Sequence, residues 1–437
     1  MCIRDSPETP VASSRMVYTV NASAREVLAK LTRDASISDL SPQFNSGMHE
    51  TSARRDGYFE SRWGAAPQWK DVILQGPYFH VGNPFFQSRN STMGGNQDYS
   101  RVDLERLSSD ALPVTEYKPI YEQDKDGNTD TSRYDNAYGS WEVPGNEPGT
   151  VRRAPVRDFY RVMWRRMAAG TGERTLIPAI FPPGTATIDG AFCIGFTDVA
   201  NRANLLALAT TSMTTLLSDF LTRATSGNNI FRAAIDRLPR IPEGHPLASA
   251  AILRILRLNA LTDAYADLWA DCWREEMTHD SWTGGNTHTA ADSGPRPELG
   301  AVGPQWTQAT PLRVDEDRRQ ALVEIDAIMA HVTGISIDEL CTTYRTQFGV
   351  LYGYDRGEGR GAYIYDASGR VIPSTVRTAW NKAGRPESGM PEEDRTYVNP
   401  EGRTLVAHEP FRILDREEDM RTAYREFARR LNHQDKN

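Results

Sequence analysis

The sequence predicts an α/β fold of the mixed α+β kind, in which a small mixed sheet flanked by helices precedes a mainly helical C-terminal region. Up to about residue 242, short segments of β-type composition alternate with turns rich in Gly and Pro. Beyond that point, apolar residues recur at helical spacing over longer stretches. The chain has 437 residues, 39% of them hydrophobic, which is enough to bury a core in two or three domains.

The first 150 residues alternate short elements with turns. One short helical pattern, at residues 24–32, lies in otherwise polar, turn-rich sequence. Residues 72–81 have β-type composition split by a Gly-Pro pair, so we expect two short strands around a turn. Residues 124–150 are rich in Asp, Asn, Gly and Pro without periodicity, and we expect a loop. A loop of this length is typical of a functional or mobile segment.

An arginine-rich segment comes next. Residues 156–169 place apolar side chains at helical core spacing and are followed by Gly170, so we expect a helix that ends there. Strands should follow at residues 175–181 and 191–196, joined by a Pro-Pro-Gly turn. We then expect an amphipathic helix at residues 204–223, before a Leu-Pro-Arg-Ile-Pro sequence closes the unit.

The second part of the chain is mainly helical. Pro246 occupies a first-turn position before a run of apolar residues at helical spacing that reaches Trp269. Residues 284–304 are rich in Gly, Pro and Thr and indicate a linker. The remaining predicted elements are a helix at residues 315–332, a helix begun by a capping box between Ser336 and Glu339, a hairpin at residues 363–372 and a charged helix at residues 415–431.

These patterns divide the chain into five segments. Residues 1–6 correspond to what a transposon-end adapter used in sequencing libraries would encode, so we expect an artefact there and a longer protein upstream. Residues 7–68 would be a linker or the tail of an upstream domain. A mixed unit of strands and helices at 69–242, a helical domain at 243–345 and a hairpin and helix region at 346–437 would follow.

The sequence lacks the motifs that are typical of several classes of enzyme. The chain contains no Gly-rich dinucleotide loop, no phosphate-binding loop, no GxSxG and no HExxH. Its eight histidines show no ligand spacing, and its four cysteines are scattered, which argues against a metal site and favours a reducing compartment such as the cytoplasm. No stretch approaches 18 consecutive apolar residues, so we expect no membrane span.

A concentration of arginine suggests a site for a polyanion. Residues 151–174 carry seven arginines and two acids, a local charge of +5 in a chain of net charge -8. Three of the arginines repeat every four residues and would line one side of a helix. Because arginine grips phosphate in a bidentate fork, we expect phosphate contacts with duplex DNA, although a solvated charged face is the alternative. The candidate DNA-binding residues are Arg152, Arg153, Arg157, Arg161, Arg165, Arg166 and Arg174.

Sequence-specific contacts would come from neighbouring loops. Residues 89–98 and 124–150 are rich in Asn, Gln, Asp and Arg, the side chains that read base edges. A separate motif, Asn83-Pro84-Phe85-Phe86, is similar to the Asn-Pro-Pro-aromatic motif with which adenine-N6 methyltransferases hold a flipped base. Its third residue is Phe instead of Pro, and no Gly-rich cofactor loop precedes it. A turn that ends a strand is therefore the better interpretation.

Four ordered segments carry a family resemblance. They are LQGPYFHVGNPFFQ at 74–87, VRDFYRVMWRRMAAGTGERTLIPAIFPPGTATIDGAF at 156–192, LRLNALTDAYADLW at 256–269 and DRRQALVEIDAIMAHVTGISIDELCTTYRTQF at 317–348. Together they resemble the C-terminal half of large adenine-specific DNA methyltransferases of restriction-modification and phage-defence systems, namely type IIG-like enzymes and their relatives in DISARM and BREX. The resemblance extends over residues 69–431.

The resemblance implies that target recognition and methylation belong to different parts of one polypeptide. Residues 69–242 would form the target-recognition domain, while S-adenosylmethionine and the methylating residues would belong to an upstream domain of the same polypeptide. No catalytic motif of the family is matched, so no catalytic residue is carried over and we do not expect the chain to be catalytic alone. Two alternatives stay open: a non-catalytic interaction scaffold, whose arginines would pair with acidic loops of the same chain, and a small DNA nuclease with an unrecognised site.

Overall fold

The structure, a computed structural model, describes residues 3–4, 16–17, 22–33, 35–91, 98–147, 149–197, 201–284, 289–290, 294–295 and 298–434. It confirms the mixed α+β class. The strands that build or border the two larger sheets are β1 Gln43–Asn45, β2 Phe59–Ala65, β3 Ile73–Leu74, β4 Gln87–Arg89, β5 Tyr99–Arg101, β6 Val114–Pro119, β7 Ser140–Pro144, β8 Val151–Pro155, β9 Arg161–Arg165, β10 Pro178–Phe181, β11 Ala186–Thr187 and β12 Ala191–Gly195. A late hairpin adds β13 Thr396–Val398 and β14 Thr404–Val406. Two-residue strands pair at Ile3–Arg4 with Met16–Val17, Glu122–Gln123 with Thr129–Asp130, and Thr289–Ala290 with Gly294–Pro295.

Helices surround the sheets and dominate the second half of the described chain. They are α1 Ala22–Leu31, α2 Glu50–Arg55, α3 Ser132–Tyr138, α4 Arg202–Thr214, α5 Leu216–Thr225, α6 Arg232–Asp236, α7 Ala248–Asn259, α8 Ala266–Cys272, α9 Asp315–Val332, α10 Ile337–Gln347, α11 Gly349–Asp355, α12 Ser374–Lys382, α13 Glu392–Arg395 and α14 Arg416–Gln434. Among them, no single helix is long and apolar enough to cross a membrane, and only the pair α4–α5, bent by 68°, reaches that length and composition together.

Two four-stranded sheets organise the first half. The first has the order β10-β9-β12-β1, with every neighbouring pair antiparallel. The second has the order β11-β3-β6-β2, in which only β11 and β3 run parallel. Strands β10 and β12 are buried along their whole length, which explains why their sequences are continuous apolar runs.

The first sheet separates two hydrophobic cores. Val162 and Trp164 of β9 pack into the larger core, which also contains α4, α7 and α9, while Met163 between them faces the smaller core. Strands β10 and β12 alternate in the same way, as the period of two in a β-strand requires. The larger core extends from Ala24 to Phe427 and draws on every predicted segment after residue 6, so the division into domains stays a prediction.

The helix predicted at residues 156–169 is wrong. Val156–Asp158 form a short 3-10 turn, and Arg161–Arg165 form strand β9. The spacing of the arginines is ambiguous, because residues four apart lie on one side of a helix and also on one face of a strand. The apolar residues between Arg161 and Arg165 alternate toward two different cores, and this burial favours a strand.

Three other expectations are wrong in part. Residues 124–150 contain α3 and β7 and are not a single loop. The helix expected at residues 204–223 is two helices, and the Thr215 hydroxyl caps the second by accepting the Ser218 N–H at 3.1 Å. Residues 72–81 contain β3 and the 3-10 turn Gly76–Tyr78 where we expected two strands.

Local signals in the second half are confirmed. Helix α9 has the predicted bounds, and the capping box is formed, since Ser336 N–H donates to Glu339 Oε2 at 2.8 Å and Glu339 N–H donates to Ser336 Oγ at 3.3 Å. The hairpin at residues 363–372 closes with a bridge between Tyr365 and Val371. Four of residues 1–6, six of residues 89–98 and part of the linker at 284–304 lie outside the described residues, so the expectations placed on them stay predictions.

Candidate functional site

Three of the seven candidate arginines anchor the fold from inside; we call Arg157, Arg161 and Arg174 the anchored arginines. The Arg161 side chain is 0% exposed, and its Nη2 donates to Thr185 O at 2.5 Å. Its Nη1 also donates to the Tyr138 hydroxyl at 3.2 Å. These bonds occupy the guanidinium with internal acceptors, so it has no group left to reach a phosphate on the surface.

The other two anchored arginines are held by carboxylates, of which Asp135 is partly buried and Asp219 is fully buried. Arg157 Nε lies 2.6 Å from Asp135 Oδ1, and its Nη1 donates to Lys70 O at 2.7 Å. Arg174 Nε lies 2.7 Å from Asp219 Oδ2, and the Asp219 side chain is fully buried. Such pairs are expensive to break, because removing one member leaves an uncompensated charge inside the protein.

The remaining four candidates have more open positions. Arg165 is half-buried and donates from Nε to Phe79 O at 3.1 Å, and burial lowers the pKa of its guanidinium to about 10. Arg166 pairs with Asp189 at 3.1 Å. Arg152 and Arg153 are exposed on β8, with Arg153 bonded to the nearby Ser140. The structure therefore brings no row of seven arginines to one surface, and it leaves Arg152 and Arg153 as the exposed pair of this segment.

The four segments that carry the family resemblance meet at one point in the structure. Gly82 N–H donates to Pro178 O at 2.9 Å, which joins the first segment to the second. Arg318 from the fourth segment donates to Gly82 O at 2.8 Å and to Leu258 O of the third at 3.0 Å. The second and third segments are also joined directly, because Ile180 N–H donates to Asn259 Oδ1 at 2.9 Å. All four contribute to the wall of a cavity beside this junction.

The cavity has two adjoining chambers. The inner chamber, of about 140 Å³, lies between the turn at residues 80–86, the first part of α9 and the hairpin at residues 363–371. The outer chamber, of about 390 Å³, is bounded by residues 354–363 and the beginning of α12. Both chambers are lined by Arg101, Glu173, Tyr363 and Val371, which form the wall between them.

A carboxylate with two hydrogen-bond partners stands in this shared wall. Glu173 Oε1 lies 3.2 Å from His80 Nε2, and Glu173 Oε2 accepts the Tyr363 hydroxyl at 2.5 Å. Burial alone would raise the pKa of Glu173, but the bonds and charges of His80, Tyr363 and Arg101 outweigh it and lower that pKa to about 2. Burial also lowers the pKa of His80, so a neutral imidazole donates to an ionised carboxylate at pH 7.

The aromatic ring beside this group is covered on both faces. The His80 ring stacks on Phe86 with 4.7 Å between centroids and 23° between planes. The Arg101 guanidinium lies 3.8 Å from the Phe86 centroid, which is close cation–π contact. Phe86 thus orients Arg101 toward the chambers and offers no free face on which a base could stack.

The turn expected at Asn83-Pro84-Phe85-Phe86 is present, but it leads into β4 and does not end a strand. His80 and Asn83 exchange backbone hydrogen bonds of 2.9 Å in both directions, and Asn83 Oδ1 accepts the Phe85 N–H at 3.1 Å. Phe85 is buried, while Asn83 and Phe86 line the inner chamber. The motif therefore marks the cavity, although its Asn oxygen is committed to the local turn.

The described residues form no site for a metal ion and no accessible reactive thiol. No group of three or more His, Cys, Asp and Glu side chains is placed to hold a metal ion there. Cys193, Cys272 and Cys341 are buried, and burial raises the pKa of the Cys193 and Cys341 thiols to about 11. These thiols are structural, because a reactive cysteine needs an accessible thiolate.

Sequence reasoning missed most of the cavity. His80, Arg101, Glu173 and Tyr363 are up to 283 positions apart, and none belongs to a motif with functional spacing. The one local signal was the Asn-Pro-aromatic turn that follows His80. Comparison with known proteins gave no match, either to a protein-family model or to a curated protein sequence.

Proposed function

We propose that this chain is the DNA-binding specificity portion of a site-specific adenine-N6 DNA methyltransferase from a restriction-modification or phage-defence system. The observation that carries the proposal is the convergence of the four resembling segments around Gly82. Gaps of 68, 63 and 47 residues separate these segments along the chain, yet all four share one junction and one cavity wall. A well-formed cavity lined by several segments is the default place to look for a binding site.

The chemistry of methyl transfer would come from elsewhere in the polypeptide. S-adenosylmethionine carries a positively charged sulfonium, and the cavity offers it several arginines and a Glu173 already bonded to two partners. Such a lining does not fit this cofactor, so we assign its binding to the upstream methyltransferase domain. The partners of this chain would be that domain and double-stranded DNA, in the cytoplasm.

The exposed arginines of β8 are the part of the original candidate set that suits DNA. Arg152 and Arg153 are adjacent on a strand paired with β7, and both side chains are exposed. Two anchored arginines, Arg157 just after β8 and Arg161 in β9, fix the neighbouring backbone through internal hydrogen bonds. Phosphate contacts of this type give affinity and orientation without reading the base sequence.

A salt titration tests this assignment. We expect wild-type protein to bind generic duplex DNA with an affinity that falls steeply with salt, because phosphate contacts release counterions. The double variant Arg152→Ala/Arg153→Ala should reduce the slope of log affinity against log salt by about one unit for each of the two side chains that contacts phosphate. The matched control Arg425→Ala/Arg429→Ala removes two exposed arginines of α14 and should leave the slope unchanged.

Three results would count against the proposal. An unchanged slope in the β8 variant would remove Arg152 and Arg153 from the DNA interface. Absence of any salt-sensitive binding by the wild-type chain would favour the interaction scaffold instead. That second candidate draws support from the anchored arginines, which pair with Asp135 and Asp219 of the same chain. Cleavage of plasmid DNA in the presence of magnesium would favour the nuclease.

A further inference from the structure

We propose that the outer chamber binds a phosphate-bearing dianion, such as inorganic phosphate or a small phosphate monoester. Arg101, Arg360 and Arg377, the chamber arginines, would hold it. The proposal goes beyond the DNA-binding assignment, because it places a specific anion site in a cavity that lies apart from β8 in sequence. It rests on the charge of the lining, on the helix end that faces the chamber and on a buried guanidinium in the adjoining inner chamber that has two unsatisfied donors.

The charge of the outer chamber is strongly positive. In the described part of the chain, none of the three chamber arginines has a carboxylate within ion-pair distance. Arg377 donates to two backbone carbonyls, those of Arg360 at 2.8 Å and Ala362 at 3.4 Å, which orients its guanidinium without neutralising it. The acid of the lining is Glu173, whose two oxygens are already bonded to His80 and Tyr363.

The N-terminus of helix α12 adds to the positive electrostatic potential of the outer chamber. Helix α12 begins at Ser374, which lines the outer chamber. The residue before it is Pro373, so no side chain caps the helix, and its first turn contains no acid. The first N–H groups of a helix lack internal partners and carry a partial positive charge, which makes them good donors to an anion.

A buried guanidinium in the adjoining inner chamber points to a missing partner. The Arg319 side chain is 5% exposed and lines that chamber. Its Nη1 bonds Asp419 at 2.7 Å, whereas its Nε and Nη2 have no hydrogen-bond partner, with Asp355 Oδ1 only approaching Nε to 4.0 Å. Buried N–H groups without an acceptor are rare because each lacks the compensation for its desolvation. An acceptor in the inner chamber would satisfy these donors, and the guanidinium adds positive charge on that side of the shared wall.

The size and charge of the chamber favour a phosphate over other ligands. A volume of about 390 Å³ is at the small end of the range for ligand pockets. Three arginines and the ionised Glu173 leave the lining with a net charge of about +2, which matches the charge of roughly -2 that a phosphate monoester carries at pH 7. The guanidinium fork fits phosphate oxygens in pairs. A stacked nucleobase is disfavoured at Phe86, because His80 and Arg101 already cover its two faces.

Titration calorimetry with inorganic phosphate tests the site directly. We expect wild-type protein to bind one phosphate per chain, and we expect phosphate to raise its melting temperature above that in sodium chloride of equal ionic strength. Arg360→Ala should weaken phosphate binding by about tenfold, since one charge-assisted hydrogen bond is lost. Arg360→Glu should abolish binding, because it reverses the charge of an exposed side chain.

Two controls keep the result interpretable. Arg429→Ala removes an arginine of similar exposure on α14 and should retain wild-type phosphate affinity. Melting curves in chloride alone show whether the Arg360 variants are folded; Arg360 donates no side-chain bond in the described structure, so they should melt like wild type. Equal phosphate binding by wild type and Arg360→Glu would overturn the proposal, as would malonate binding as tightly as phosphate.

Competition distinguishes the source of the phosphate. If glycerol phosphate binds at least as well as inorganic phosphate and duplex DNA does not displace it, the natural ligand is a small phosphate ester. If duplex DNA displaces phosphate and Arg360→Ala also weakens DNA binding, the chamber holds a phosphate of the nucleic acid. The DNA-binding proposal can fail without affecting this site, because Arg152→Ala/Arg153→Ala should change DNA binding and leave phosphate affinity intact.

Discussion

The anchored arginines and the chamber arginines are the same residue type in opposite surroundings. Each anchored arginine is nearly inaccessible and is bonded to carboxylates, carbonyls or a tyrosine hydroxyl inside the fold. The chamber arginines are exposed or half-buried, and no ion pair neutralises them in the described structure. The role of an arginine therefore depends on the hydrogen-bond acceptors that surround it. The number of arginines in a segment does not by itself predict phosphate contacts.

The largest expected effect is the loss of an anchored arginine. Arg174→Ala should lower the free energy of unfolding by about 3–5 kcal/mol, because Asp219 would keep a buried charge with less compensation. Urea unfolding followed by circular dichroism measures the change. Arg360→Ala is the matched comparison and should change the free energy by less than about 0.5 kcal/mol. A loss below about 1 kcal/mol for Arg174→Ala would remove the distinction between the two groups.

A smaller effect is expected where the two groups meet, at Glu173. Glu173→Gln should lower the free energy of unfolding at pH 7 by about 2–3 kcal/mol, since its folded pKa of about 2 lies well below the ordinary value of 4.5. This contribution is present above pH 4.5 and is lost as the pH falls toward 2. The same variant should bind phosphate more tightly, because it removes the carboxylate from the chamber wall. A higher free energy of unfolding for Glu173→Gln, or weaker phosphate binding, would contradict the assignment.

The smallest expected effect is a pH dependence due to His80. Its folded pKa lies below 6.5, so the unfolded chain binds the proton more readily and stability falls as the pH drops below 6.5. This contribution is limited to about 2 kcal/mol between pH 6.5 and pH 5. His80→Gln should show a shallower loss of stability over that interval than wild type does. Parallel curves for the two proteins would show that His80 is equally easy to protonate in both states.

The sequence was informative where structure depends on neighbouring residues. Helix α9 has acids in its first turn and a glycine two positions after its end, and the Ser336–Glu339 box lies within four residues, so both could be predicted. Strand β9 could not be separated from a helix, because the four-residue spacing of its arginines suits both. Its burial between two cores supplies the missing information, and that burial depends on residues far away in the chain.

The candidate site was harder to predict than the fold. Its one local signal was the Asn-Pro-aromatic turn, which the structure places beside the inner chamber. The charged residues come from distant positions, with Arg101 on β5, Glu173 before β10 and Arg360 before α12. None of them stands out in its own sequence context. They form a site because tertiary packing places them together, and a single sequence carries no direct record of such packing.

The double-sided burial of β9 has a consequence for how the molecule unfolds. The alternate side chains of β9 enter two different cores, so the strand cannot slip by one residue. Such a slip would remove Trp164 from the larger core and turn Arg161 and Arg165 toward it. Nor can either core loosen while β9 keeps its place, since each uses the same backbone as a wall. The backbone amides of β9 should therefore be among the last in the chain to exchange with solvent, and they should do so only when both cores open together.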